Sequence, residues 1–175
     1  MTEPELETAL IVEVPAAEPV VGQFRAQFDG NAPLGIPAHI TILAPFMPAS
    51  RIDAGTLADL ENLASRTKAF DFLLDHTAWF GTSVLWVGPR DPRPVRELTE
   101  RVFATFPEFT PFQGQFDEVV PHLTVGYDHD LDEMLHAEQV IGANLPIPAR
   151  AVAVTLMTEL APSGQWSTFA TFSFR

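Results

Sequence analysis

A chain of 175 residues with 46% hydrophobic content, 14 phenylalanines and 16 prolines can bury a sizeable core and is too aromatic for a disordered segment. Ten basic against 23 acidic residues leave a net charge of −13, which excludes a surface built to grip long nucleic acid through its phosphates. There is no cysteine, so disulfides and thiolate metal sites are excluded, and no apolar run reaches the roughly 18 residues of a membrane span.

The opening "MTEPELETAL" is acidic and lacks the basic start and apolar run of a secretory leader. The expected location is the cytoplasm. "TALIVEVP" (Thr8–Pro15) reads as a short buried strand. A helix follows, with Pro19 in its first turn, Val20, Val21, Phe24 and Phe28 on one face, and Gly30 at its end. "PAHITILAPF" (Pro37–Phe46) is a second strand. Asp53 is placed to cap a helix carrying Leu57, Leu60, Leu63 and Ala64 on one face. "AFDFLLDHTAWF" is a strand, or a strand with a bend.

The order then restarts. "SVLWVGP" (Ser83–Pro89) is a strand, and Val95, Leu98, Val102 and Phe106 mark an amphipathic helix. "VPHLTVGY" (Val120–Tyr127) is the next strand, followed by a helix through Leu131, Leu135 and Ile141. "ARAVAVTLMTEL" and "QWSTFATFSFR" read as two closing strands joined at "APSGQ". Strand, helix, strand, helix thus occurs twice, as an internal duplication with two similar lobes would give. No linker separates independent domains, so residues 1–175 are read as a single domain.

The second strand of each repeat carries His-x-Thr: His39 with Thr41, and His122 with Thr124. Residues i and i+2 share a face of a strand. Each strand therefore offers an imidazole and a hydroxyl on one side and buries Ile40 and Ile42, or Leu123 and Val125, on the other. One such motif is weak evidence of a site. Two, each after a proline and at matching places in a repeat, point to one shared cleft. In-line displacement at phosphorus needs a base on the attacking oxygen and an acid on the leaving oxygen. Histidine serves either role near neutral pH, and threonine hydroxyls can donate to the non-bridging oxygens. No metal is needed if the imidazoles carry both protons.

Other candidates are weaker. "YDHD" (Tyr127–Asp130) has metal-ligand residue types, but a loop with Asp130 capping the next helix explains it better. His76 reads as a satisfied histidine near a strand end, and His136 as solvated. Arg90 or Arg93 can reach a phosphate from its loop. Arg96 and Arg101, interleaved with Glu97 and Glu100, read as a solvated helix face. Phe46, Trp86, Tyr127 and Trp166 can stack on a base. Core packing is the simpler reading for most of them, while Tyr127 and Phe46 are retained as candidate substrate contacts.

With "HITILAPF", "FDFLL" before "SVLWVGP", "VPHLTVGY" and the closing "GQW", most of the chain resembles the 2H phosphoesterase superfamily. The nearest branch is that of the bacterial 2′-5′ RNA ligase-like, or RNA 2′,3′-cyclic phosphodiesterase, proteins. The resemblance implies an α+β, bilobal fold with pseudo-two-fold lobes, antiparallel sheets flanking a central cleft and helices on the outer faces. It implies His39 and His122 as catalytic residues, Thr41 and Thr124 as phosphate ligands, no metal and no cofactor. The implied reaction is hydrolysis of a 2′,3′-cyclic phosphate to a 2′-phosphate, with His122 as base and His39 as acid. Many relatives carry an arginine shortly after the second motif, where Gly126 and Tyr127 stand here. The expected partner is a small cyclic-phosphate nucleotide or an RNA 3′ end, met by a monomer that uses no membrane. Two alternatives share the cleft: 2′-5′ joining of RNA ends, and a non-catalytic nucleotide or RNA-end binding module.

Overall fold

The computed structural model describes residues 5–114 and 118–175. Eight strands and four α-helices run in the order β1 (Thr8–Glu13), α1 (Glu18–Phe28), β2 (His39–Leu43), α2 (Ala54–Ser65), β3 (Phe70–Phe80), β4 (Val84–Pro89), α3 (Arg93–Thr105), β5 (Leu123–Tyr127), α4 (Leu131–Ala143), β6 (Ile147–Ala151), β7 (Ala153–Leu160) and β8 (Gln165–Ser173). Two caps read from sequence are made. The Asp53 carboxylate accepts from Thr56 N–H at 2.8 Å, and that of Asp130 from Glu133 N–H at 3.1 Å. Each satisfies one of the orphan donors of a first helical turn.

The strands form two antiparallel four-stranded sheets, ordered β2-β1-β7-β8 and β5-β4-β3-β6. They match under a pseudo-two-fold: β2 with β5, β1 with β4, β7 with β3, β8 with β6. The helices reverse the pairing. α1 lies between β1 and β2 in sequence but packs on β5, and α3 lies between β4 and β5 but packs on β2. Each lobe is therefore roofed by a helix from the other half of the sequence, which is why the chain carries no linker between them. The crossing is tight at β5, where a Cβ on Gly126 would collide with Phe28 of α1.

Two sequence expectations need correction. "ARAVAVTLMTEL" is not one strand. The chain leaves one sheet at Ala151 and enters the other at Ala153, with Val152 between them 55% exposed. On α4, Leu131 and Leu135 face solvent, while Met134, Ala137 and Ile141 are buried. Ile141 lies on the buried face as expected, but the stripe runs i, i+3, i+7 from Met134. The main core spans both sheets, with Leu10, Ile40, Ile42, Leu74, Leu85 and Leu123 at 0% exposure. Among the described residues no helix is long and apolar enough to cross a membrane.

Candidate functional site

β2 and β5 are edge strands of their sheets and approach each other. On both, burial alternates as the motif requires. Ile40, Ile42, Leu123 and Val125 are buried, and His39, Thr41, His122 and Thr124 are partly exposed between them. The four motif residues thus lie on the two edge strands that approach each other, near enough for the charge of His122 to act on His39.

The imidazoles are held alike. His39 Nδ1–H donates to Pro37 O at 2.7 Å, and His122 Nδ1–H donates to Val120 O at 2.7 Å. A carbonyl can only accept, so this partner places the proton on Nδ1 and the lone pair on Nε2. Ile36 and Val120 each precede a proline, which confines them to extended backbone and stiffens the approach to each histidine.

Both rings are also pushed toward neutrality. Burial is the main cause at His39, whose pKa falls from 6.5 to about 4. The bond to Pro37 opposes the fall, Arg25 adds to it, Asp29 opposes it, and the charge of His122 adds a last increment. Burial likewise lowers His122, against the bond to Val120.

The walls around the two histidines differ. On the β2 side a recess of about 340 Å³ is lined by His39, Thr41, Ala9, Ile11, Met157 and Trp166 among others. Ala9, Ile11 and Met157 form a small apolar cluster apart from the main core, with Ala44 and Trp166 against it. On the β5 side His122 meets the rings of Phe80 and Trp86 edge-on, with centroids at 4.9 and 5.9 Å. Trp86 stands opposite Thr124 in the ladder and stacks on Phe80 at 5.0 Å. A larger recess of about 440 Å³, lined in part by Arg96, Phe103 and Thr110, includes neither motif histidine.

Other candidates fall out as follows. Phe46 is 4% exposed and packs edge-on against Phe106 and Phe109, so it belongs to the core and not to the cleft. Tyr127 is partly buried, with its hydroxyl against Gly30 after the end of α1. Arg90 and Arg93 are tied to Asp75 and Asp91, at 2.8 and 2.7 Å. His76 has a partner in Asp75 at 2.8 Å. It stands opposite Gly88, on the face of the sheet that carries Trp86 and Thr124. His129 packs edge-on against Phe28, and His136 is exposed. No three His, Asp or Glu side chains among the described residues are grouped to hold a metal ion.

Sequence reasoning named Trp166 as able to stack on a base but preferred core packing for it, and passed over Phe80. Phe80 is two residues beyond Ala78, the neighbour of Trp86 across the ladder. Once that register is known the period-2 rule places it beside His122.

Several solved structures share this architecture. Escherichia coli LigT complexed with 3′-AMP superposes with a TM-score of 0.62 at 18% identity, covering 97% of this chain and 98% of that one. LigT complexed with NADP+ gives 0.60 at 18%, over 98% and 99%. The TT0787 protein of Thermus thermophilus gives 0.62 at 18%, over 97% and 98%. No curated protein matches the chain in sequence. The family model described as the 2′-5′ RNA ligase superfamily matches residues 12–161, from the end of β1 to the end of β7 and including both motif strands, and the chain belongs to that family.

Proposed function

We propose that this protein is a metal-independent phosphoesterase that hydrolyses a 2′,3′-cyclic phosphate, on a nucleotide or an RNA end, to a 2′-phosphate. One observation carries the reading. Two imidazoles with the proton fixed on Nδ1 stand on edge strands that approach each other, each with a threonine hydroxyl two residues on. One Nε2 takes a proton from water as its oxygen attacks phosphorus. The P–O3′ bond breaks on the opposite side, and the second imidazole, protonated, delivers its proton to O3′. The products are a 2′-phosphate and a 3′-hydroxyl. Thr41 and Thr124 donate to the non-bridging oxygens, where negative charge accumulates. The recess by Trp166, with Ala9, Ile11 and Met157 as its apolar wall, gives a base or ribose somewhere to lie. The ligands in the LigT structures, 3′-AMP and NADP+, are of nucleotide size.

The family resemblance makes His122 the base and His39 the acid. The test is incubation of purified protein with 2′,3′-cyclic AMP and with a short RNA ending in a cyclic phosphate, with and without EDTA. Products are read by phosphorus NMR. The expected result is a 2′-phosphomonoester at equal rates in both conditions. No turnover of either substrate would leave a binding module. Loss of activity in EDTA restored by a divalent ion would overturn the metal-free mechanism.

A further inference from the structure

Behind each motif histidine lies a second hydrogen bond that neither motif contains. His39 Nδ1 is bonded to Pro37 O, and the carbonyl one residue earlier, Ile36 O, accepts from Arg25 Nη2 at 3.1 Å. His122 Nδ1 is bonded to Val120 O, and the carbonyl one residue earlier, Val119 O, accepts from Arg96 Nε at 3.1 Å. Arg25 comes from α1 and Arg96 from α3, the helices that match under the pseudo-two-fold. Arg96 lies in the first turn of its helix and Arg25 near the end of its own. The two arginines are therefore not equivalent positions of a repeated sequence. They converge on the same atom, the carbonyl three residues before the histidine.

Their surroundings differ. Arg25 is 2% exposed and also holds Asp29, through Nη2 at 2.9 Å and Nε at 3.2 Å. Glu18, 3.8 Å from Arg25, accepts from Ala38 N–H at 2.7 Å. The Pro37 peptide is therefore pinned on both sides. Arg96 is partly exposed and pairs with Glu118 at 2.8 Å on the surface.

We propose that Arg25 and Arg96 are paired positioning residues: each fixes the peptide just before the carbonyl that orients its motif imidazole, so turnover depends on both although neither acts on the substrate. The inference rests on the phosphoesterase reading for its kinetic consequence only. A charged donor holds a carbonyl more firmly than a neutral one, and the held peptide leads directly into the one that carries the acceptor for Nδ1–H. Release lets that acceptor drift, and with it both the ring direction and the tautomer that keeps the lone pair on Nε2. A misplacement of about 1 Å at a reacting group costs on the order of 10²-fold in rate. At His39 the same arginine and its partner Asp29 also act on the ring charge with opposite signs, so Arg25 cannot be removed without leaving a buried carboxylate unpaired.

The decisive variants are Arg96→Ala and Arg96→Lys, because Arg96 is partly exposed and its loss leaves only a surface carboxylate behind. Arg25→Lys keeps a charge beside Asp29 but loses the second guanidinium bond to it and shortens the reach to Ile36 O. Each is compared with the parent by steady-state hydrolysis of 2′,3′-cyclic AMP, by thermal melting and by ¹⁵N NMR of histidine-labelled protein. Arg96→Ala should lower kcat by about 10–10²-fold with KM changed less than about threefold. The His122 signals should move away from the Nδ1–H tautomer while those of His39 stay. Arg96→Lys should restore part of the loss, and Arg25→Lys should move the His39 signals and leave those of His122. Unchanged His122 signals and unchanged kcat in Arg96→Ala would overturn the proposal, as would a loss of activity that tracks melting temperature alone. A parent that hydrolyses no cyclic phosphate would remove the proposed reaction. The NMR comparison would still decide whether the arginines position the imidazoles.

Discussion

Acidification should destabilise the parent more than a His39→Gln variant. The His39 ring titrates at about 4 in the folded protein against 6.5 when unperturbed, chiefly because the cleft strips it of water. Above pH 6.5 neither state holds the proton, and below pH 4 both do. In between the unfolded chain binds more protons, so stability falls as pH falls through that window. At about pH 4.5 the shift corresponds to about 2.5 kcal/mol. The ring keeps some solvent contact, so about 1–2.5 kcal/mol is the working range. For a chain of this length each kcal/mol moves the midpoint by about 2–4 °C. The parent should therefore lose about 2–10 °C more than His39→Gln between about pH 7.5 and 4.5. Glutamine is the substitution of choice because its amide can still donate toward Pro37 O. The assay is calorimetry or circular-dichroism melting in buffers free of phosphate. Carboxylates elsewhere titrate in both proteins and drop out of the difference. Parallel curves for the two proteins would refute the assignment of His39 as a ring held neutral by burial.

His39→Ala and His122→Ala should each slow hydrolysis of 2′,3′-cyclic AMP by about 10²–10⁴-fold, and the double variant should be far less than multiplicatively worse because the pair acts as a unit. His129→Ala and His136→Ala are the controls, and near-normal turnover in either motif variant would refute the two-histidine site. Thr41→Ala and Thr124→Ala should each cost about 10–10²-fold, the worth of one hydrogen bond to a charged oxygen, with melts unchanged because their side chains face the cleft. A short cyclic-phosphate oligonucleotide should bind about as tightly as a long RNA, with a shallow salt dependence; a slope that steepens with RNA length would contradict the reading of the acidic surface. Inorganic phosphate should bind more tightly as pH falls from about 8 to 6, with proton uptake seen by calorimetry in buffers of different ionisation enthalpy, since an anion in the cleft favours the charged imidazoles that burial disfavours. Binding without proton uptake would contradict that coupling.

The elements legible in the sequence are those whose signal is local. Asp53 and Asp130 precede apolar periodic runs and do cap α2 and α4. His39 and His122 alternate with fully buried aliphatics, as the strand period demands. The failures have non-local causes. Leu131 and Leu135 are more apolar than Ala137, but the helix buries the stripe that meets its neighbours, and a small Ala137 allows close approach. Nothing in "ARAVAVTLMTEL" marks Val152, because extended chain runs on through it and the sheet changes without a turn residue. Phe46 follows a motif strand yet belongs to an aromatic cluster with Phe106 and Phe109 that only the fold assembles. Arg25 and Arg96 act on backbone carbonyls, an interaction with no residue-type partner for a sequence pattern to reveal.

The charge of the cleft follows from these placements. Arg25, Arg90, Arg93 and Arg96 are each matched by a carboxylate at 2.7–2.9 Å, and Gly126 fills the place after the second motif because α1 packs against the strand there. The motif histidines are neutral at rest, one of them strongly so. Mechanism nevertheless requires one imidazole to arrive protonated. A cyclic phosphate is an anion, and an opposite charge at close range favours the charged form of a buried base. On the proposed reaction, the substrate would restore the pKa that burial removed, and a bound phosphate would make the site cationic. A molecule with a net charge of −13 then needs no standing basic patch to meet a phosphate end. An isolated, unprotonated cleft also offers little to the repeating phosphates of a long RNA, whose binding depends on fixed cations. On the proposed function, selectivity for an end over a chain would follow from the coupling of two buried imidazoles to one charge.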